Sequence, residues 1–176
     1  MKIILKNNYY KLVGIILISL LIDNFLSLSN SYPPAWDQGF HLSNVFKMYN
    51  ILNDYDMNLF SKIDQILNIT DNYRGPLTYF LSALFLKLFK NTYHYAYLSN
   101  QLFNIICLIS IYELSKVFKN KSSGLFAALL FTFSSLIISQ KSDYLIDLSL
   151  TSFSCLNLLF FTKWFEGKEN IKYSIL

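Results

Sequence analysis

An all-α, polytopic membrane protein with four spans is predicted from three observations. Apolar residues make up 53% of the chain and charged residues only 15%, against about a quarter charged in soluble domains. Four stretches approach or exceed the ~17–20 residues that an α-helix needs to cross a hydrocarbon core. The lysines collect in three groups between and beside those stretches, and one topology puts all three groups on a single side. Residues 1–176 are read as one transmembrane module.

The first span covers 10–28, preceded by Lys2, Lys6 and Lys11. It is long and has no small-residue cleavage site after it, so it does not read as a cleaved signal peptide. A loop, 29–95, follows. Within it Leu42, Val45, Phe46, Tyr49 and Leu52 fall on one helical face, with Ser43, Asn44, Lys47 and Asn50 opposite. Leu59, Phe60, Ile63, Ile66 and Leu67 repeat the pattern beyond Asp54-Tyr55-Asp56. Such amphipathic helices suit a bilayer surface or the flank of other helices. Residues 68–75 form a polar connector. Pro76 then opens a short apolar run, 76–89, because proline is tolerated in a first helical turn. A run of that length is interfacial or re-entrant rather than spanning. The remaining spans are predicted at 96–117, 124–140 and 145–164.

Topology follows from the lysines. Lys116, Lys119 and Lys121 lie between the second and third spans, and Lys163, Lys168 and Lys172 follow the fourth. If 76–89 stays out of the count, these groups share a side with the N-terminus, and the positive-inside rule makes that side the cytoplasm. The expected location is the inner (plasma) membrane, multi-pass, with a cytoplasmic N-terminus. The loop 29–95 and the turn 141–144 then face outward. They carry Asp37, Asp54, Asp56, Asp64, Asp71 and Asp143, with Asp147 at the mouth of the fourth span.

Several function classes are excluded or disfavoured. The net charge of +4 is small and the lysines are scattered, so no nucleic-acid partner is expected. No Gly-rich phosphate loop, Cys/His cluster or serine elbow is present. Cys107 and Cys155 lie in apolar runs and read as small buried hydrophobes. Membrane lipid is the expected surrounding.

Three outward clusters carry the candidate chemistry: Trp36-Asp37-Gln38, Tyr73-Arg74-Gly75-Pro76-Leu77, and Lys141-Ser142-Asp143-Tyr144-Leu145-Ile146-Asp147. A carboxylate at a membrane surface can take a proton from an attacking hydroxyl or amine. A guanidinium or ammonium nearby can hold a phosphate leaving group. Each acid also has a plainer reading. Asp is a favoured helix cap, which suits Asp37, and Arg74 fits an interfacial anchor. Asp23, near the outer end of the first span, is read as reaching the interface or pairing inside the bundle. Glu113 and Lys116 are read as a local ion pair.

The order of these features resembles the N-terminal part of a GT-C glycosyltransferase, and more narrowly glycosyltransferase family 39. The resemblance rests on Trp36-Asp37-Gln38 after the first span and on Gly75-Pro76-Leu77-Thr78-Tyr79-Phe80 before a short apolar helix. It rests also on a span ending in Glu113-Leu114-Ser115-Lys116, one opening at Gly124, and Asp147 at the start of the next. It implies transfer of a sugar from a polyprenyl-phosphate donor to an extracytoplasmic lipid, glycan or protein, with inversion. Asp37 would be the general base and Asp147 would support it or shape the acceptor site. Arg74, Lys141 and Asp143 would contact substrate. No cofactor is expected, because the donor is lipid-linked, and no metal-ligand cluster is visible. Gln38 stands where many members have a second acid. Because members of the family run several times longer, the chain is expected to be an incomplete transferase that is inactive alone and whose partner is its own C-terminal part. The alternative is a non-catalytic membrane subunit or inactive truncated homologue.

Overall fold

A computed structural model of the chain describes residues 2–29, 36–69, 76–89, 92–118, 120–142, 144 and 146–166, and all regular structure in them is helical. α1 is Lys2–Ser29, α2 Trp36–Asn53, α3 Leu59–Asn68, α4 Leu77–Leu88 and α5 Tyr93–Ala96. α6 is Leu98–Phe118, α7 Lys121–Thr132, α8 Ser135–Ser142 and α9 Asp147–Glu166. Asn58 and Asn120 cap α3 and α7 by accepting from the backbone N–H of Ser61 and Ser123, as N-cap asparagines do.

Side-chain pairs give the helix directions. Asn24 meets Gln101 while Tyr9 meets Glu113, so α1 and α6 run antiparallel. Ser152 meets Phe103 and Lys163 meets Glu113, so α9 runs parallel to α6. Gly124 lies against Tyr112, which brings the start of α7 to the end of α6. α1, α6, α9 and the α7–α8 pair therefore all run between the same two ends. At one end Glu113 accepts from Tyr9 at 3.0 Å, pairs with Lys116 at 2.9 Å and lies 3.8 Å from Lys163. The expected Glu113–Lys116 pair is present and ties three helices together.

Two helical stretches, Asn8–Leu26 and Tyr93–Phe118, are long and apolar enough to cross a membrane, and a third counts if a bent pair is one span. The expected span 124–140 is that pair: Lys121–Thr132 and Ser135–Lys141 meet at 61°. Residues 133–134 stand outside both helices, and Thr132 Oγ1 donates to the Ala128 carbonyl at 2.9 Å just ahead of them, a back-bond often found where helices bend. α9, expected to span, is long enough at 20 residues but carries Ser149, Thr151, Ser152, Ser154, Asn157 and Thr162, and falls outside the apolar set. α4 has 12 residues, about 18 Å of helix, too short to cross. Val13, Leu17, Leu21 and Phe25 on α1 and Leu150, Leu158, Phe161 and Phe165 on α9 are exposed, an outer face suited to hydrocarbon. The chain is a membrane protein.

Two apolar clusters fill the interior. Leu12, Ile15, Leu108, Tyr112 and Ala128 join α1, α6 and α7. Leu42, Val45, Met48, Tyr79, Ala83, Leu86, Ala96, Tyr97 and Tyr144 join α2, α4, α5 and the turn before α9. α2 therefore buries the apolar face expected for it, along with Asn44 from the polar side. α3 buries none of its residues, and its Phe60 is 83% exposed. The Cys107 and Cys155 sulfurs lie 3.9 Å apart between α6 and α9, both free thiols.

Gly124 and Ala128 provide the small surface that lets α7 approach α6, as small residues four apart do in membrane helices. A Cβ at Gly124 would sit 2.8 Å from the Tyr112 carbonyl oxygen and 2.9 Å from its ring. The backbone oxygen cannot step aside. Gly124→Ala is expected to cost about 1–3 kcal/mol, the usual range for overpacking. Thermal unfolding in detergent checks this, and an unchanged midpoint would show that α7 does not pack on α6 in this register.

Candidate active site

The expected site residues fall into two sets. Asp37, Lys141 and Asp147 are among the described residues; Arg74 and Asp143 lie outside them. Asp37 is in the first turn of α2 and Asp147 is the first residue of α9. Both are exposed. Asp37 thus sits just inside the helix rather than ahead of it. A carboxylate there is favoured by the positive end of the helix dipole.

The start of α4 draws these two helices together. Tyr79 OH lies 2.7 Å from Nδ1 of the buried His41 on α2. Its neighbour Thr78 donates to Ser149 Oγ on α9 at 2.9 Å. His41 is four residues after Asp37, one helical turn along the same face, and Ser149 is two residues after Asp147. Adjoining residues of one helical turn therefore anchor the starts of both acid-bearing helices. Pro76 is the N-cap of α4 and follows Arg74 by two residues in the sequence.

One turn further along α4, Ser82 is hydrogen-bonded to Tyr144 and to Ser99 of α6, the latter at 2.6 Å. The Tyr144 ring packs edge-on against Tyr97. Burial pushes the Tyr144 phenol above its ordinary range, so it is neutral and able to donate. Among the described residues, Trp36 at φ 28° and Tyr144 at φ 37° are the non-glycine residues with positive φ. That conformation is strained for an aromatic residue. Trp36 precedes Asp37 and is exposed; Tyr144 follows Asp143 and is buried, where surrounding contacts can over-determine such strain. At Tyr144 those contacts are Ser82 and Tyr97.

Lys141, expected at the substrate, is turned into the bundle. Its Nζ lies 2.7 Å from Asp23 Oδ1 and donates to Ser19 Oγ at 3.0 Å. Asn104 Nδ2 donates to both Ser19 and Asp23. A buried lysine satisfied by a carboxylate is a structural tie between α1 and α8. Of the two readings for Asp23, pairing inside the bundle is the one observed. The partner went unidentified in the sequence, although Ser19/Asp23 and Asn100/Asn104 stand at helical spacing within apolar runs.

Beside Pro76 a groove of about 290 Å³ opens between α3 and α4, lined by Ile63, Ile66, Leu67, Pro76, Leu77 and Phe80. It is wholly apolar and close to the size that holds a small-molecule or lipid chain. Among the described residues, no three carboxylate, imidazole or thiol groups gather as a metal would require.

Compared with known proteins, residues 73–176 match the family model described as dolichyl-phosphate-mannose-protein mannosyltransferase. The match takes in α4 to α9 and with them Arg74, Lys141, Asp143 and Asp147; Asp37 precedes it. No curated protein and no solved structure matches the chain.

Proposed function

We propose, because the chain belongs to the dolichyl-phosphate-mannose-protein mannosyltransferase family, that it carries the donor and base groups of a GT-C membrane glycosyltransferase. On this reading a hexosyl or pentosyl group moves from a polyprenyl phosphate to an extracytoplasmic acceptor. Asp37 takes the proton of the acceptor hydroxyl or amine as it attacks the anomeric carbon. The bond from that carbon to the phosphate oxygen breaks, polyprenyl phosphate departs, and configuration inverts. Arg74 holds the departing phosphate, and Asp143 and Asp147 line the acceptor side. Lys141, tied to Asp23, anchors the end of α8, which precedes them in the sequence. The lipid tail lies in the apolar groove beside Pro76, with the exposed face of α3 on the bilayer surface.

The observation that carries this reading is the anchoring of α2 and α9 on Thr78 and Tyr79. It supports the reading because the starts of both acid-bearing helices are held on the first turn of α4. The lysine-bearing end, with Lys116 and Lys163 on Glu113, is taken as cytoplasmic in an inner (plasma) membrane. The competing reading, a non-catalytic membrane subunit, draws on Gln38 standing where many relatives have a second acid.

The test is donor turnover. Protein in nanodiscs is offered a panel of polyprenyl-phosphate sugars, and released polyprenyl phosphate is measured. Turnover dependent on this chain is the expected result. A folded chain that neither binds nor consumes any donor would favour the subunit reading.

A further inference from the structure

Five polar side chains from α1, α6 and α8 meet inside the apolar bundle: Ser19, Asp23, Asn100, Asn104 and Lys141, none more than 7% exposed. Four of them are linked through the Lys141–Asp23 ion pair and the Asn104 and Ser19 hydrogen bonds, with Asn104 Oδ1 left over. Asn100 is different. It is 2% exposed, and neither its Oδ1 nor its Nδ2 has a hydrogen-bond partner. An amide left so would cost about 1–3 kcal/mol. It borders a narrow, partly open pocket of about 10 Å³ whose other walls are Asp23, Tyr97, Gln101 and Lys141.

We infer that Asp23, Asn100 and Lys141 close around a single water molecule. The size allows no more than one: about 10–15 Å³ is the least that holds a water, and buried waters make two to four hydrogen bonds with polar groups such as the unpartnered Asn100 amide. Asn100 supplies a donor and an acceptor, Lys141 an ammonium, and Asp23 a carboxylate. An ion is the wrong occupant. A cation meets the Lys141 charge, an anion meets the Asp23 charge, and neither fits with its hydration shell. The water completes the solvation of the charged pair and couples the start of α6 to the α1–α8 tie. This inference does not depend on the transfer chemistry.

A high-resolution cryo-EM or crystal structure of the full chain tests it first. The expected result is a density peak within hydrogen-bond distance of Asn100 and of Asp23 or Lys141. The second test is the sign of the Asn100→Leu effect on thermal unfolding. With a water bridging Asn100 to the pair, leucine displaces it and the midpoint falls, by about 2–4 °C for each kcal/mol at this chain length. If the site is dry, leucine relieves an unsatisfied amide and the midpoint rises. A wild-type map without the peak, or an unchanged or raised midpoint, overturns the inference. If the variant fails to fold, the wild-type map decides alone.

Discussion

Asp37→Asn is expected to lower sugar transfer by about 10²–10⁴-fold, the usual contribution of a general base, while leaving the protein at its normal level in the membrane. The amide matches the carboxylate in shape but cannot accept the acceptor's proton. Asp37 is exposed in the first turn of α2, so its loss removes only a weak, solvent-screened interaction with the helix dipole. The packing that holds α2 lies one turn on, at His41 and the Leu42, Val45 and Met48 cluster. Assay of donor consumption alongside quantitative immunoblotting separates the two effects. Transfer that persists in Asp37→Asn would assign the base to another group.

Breaking the Asp23–Lys141 pair from one side is expected to be the most destabilising change in the bundle. Each partner is less than one-tenth exposed, and a charge left alone in such a place costs about 3–5 kcal/mol. At 2–4 °C per kcal/mol, Asp23→Leu or Lys141→Met should lower the unfolding midpoint by roughly 6–20 °C. The double variant should recover most of that loss, because a buried pair replaced by apolar groups is often neutral. Ser19 and Asn104 keep their mutual 2.8 Å bond in it. Thermal unfolding of the four proteins forms a double-mutant cycle. Single variants that unfold like wild type, or losses that simply add, would mean that the pair does not form.

What the sequence disclosed was mostly local. Long apolar runs marked α1 and α6, spacing marked the buried face of α2, and the short run after Pro76 became a helix too short to cross. Glu113 and Lys116, three residues apart, paired as i,i+3 neighbours do. Long-range relations were hidden. Lys141 looked like a surface cation because it closes an apolar run, and nothing in its neighbourhood names Asp23, 118 residues earlier, as its partner. The bend between α7 and α8 was hidden because hydropathy reads the apolar run as continuous across the break. The candidate site was half legible. The acids and their helix starts were visible, but Thr78 and Tyr79, which anchor both, read as ordinary members of an apolar run. Arg74 and Asp143 lie outside the described residues.

The central claim is that the starts of α2 and α9 meet on the first turn of α4. It is tested most directly by a spin-label distance in nanodiscs. Labels at Ser43 and Leu150, both exposed and within two residues of the His41 and Ser149 anchors, are placed on a cysteine-free background. The account predicts one narrow distribution centred well inside ~30 Å, the thickness of the hydrocarbon core. A distribution centred at or beyond that thickness, as helix starts on opposite membrane faces would produce, would contradict it.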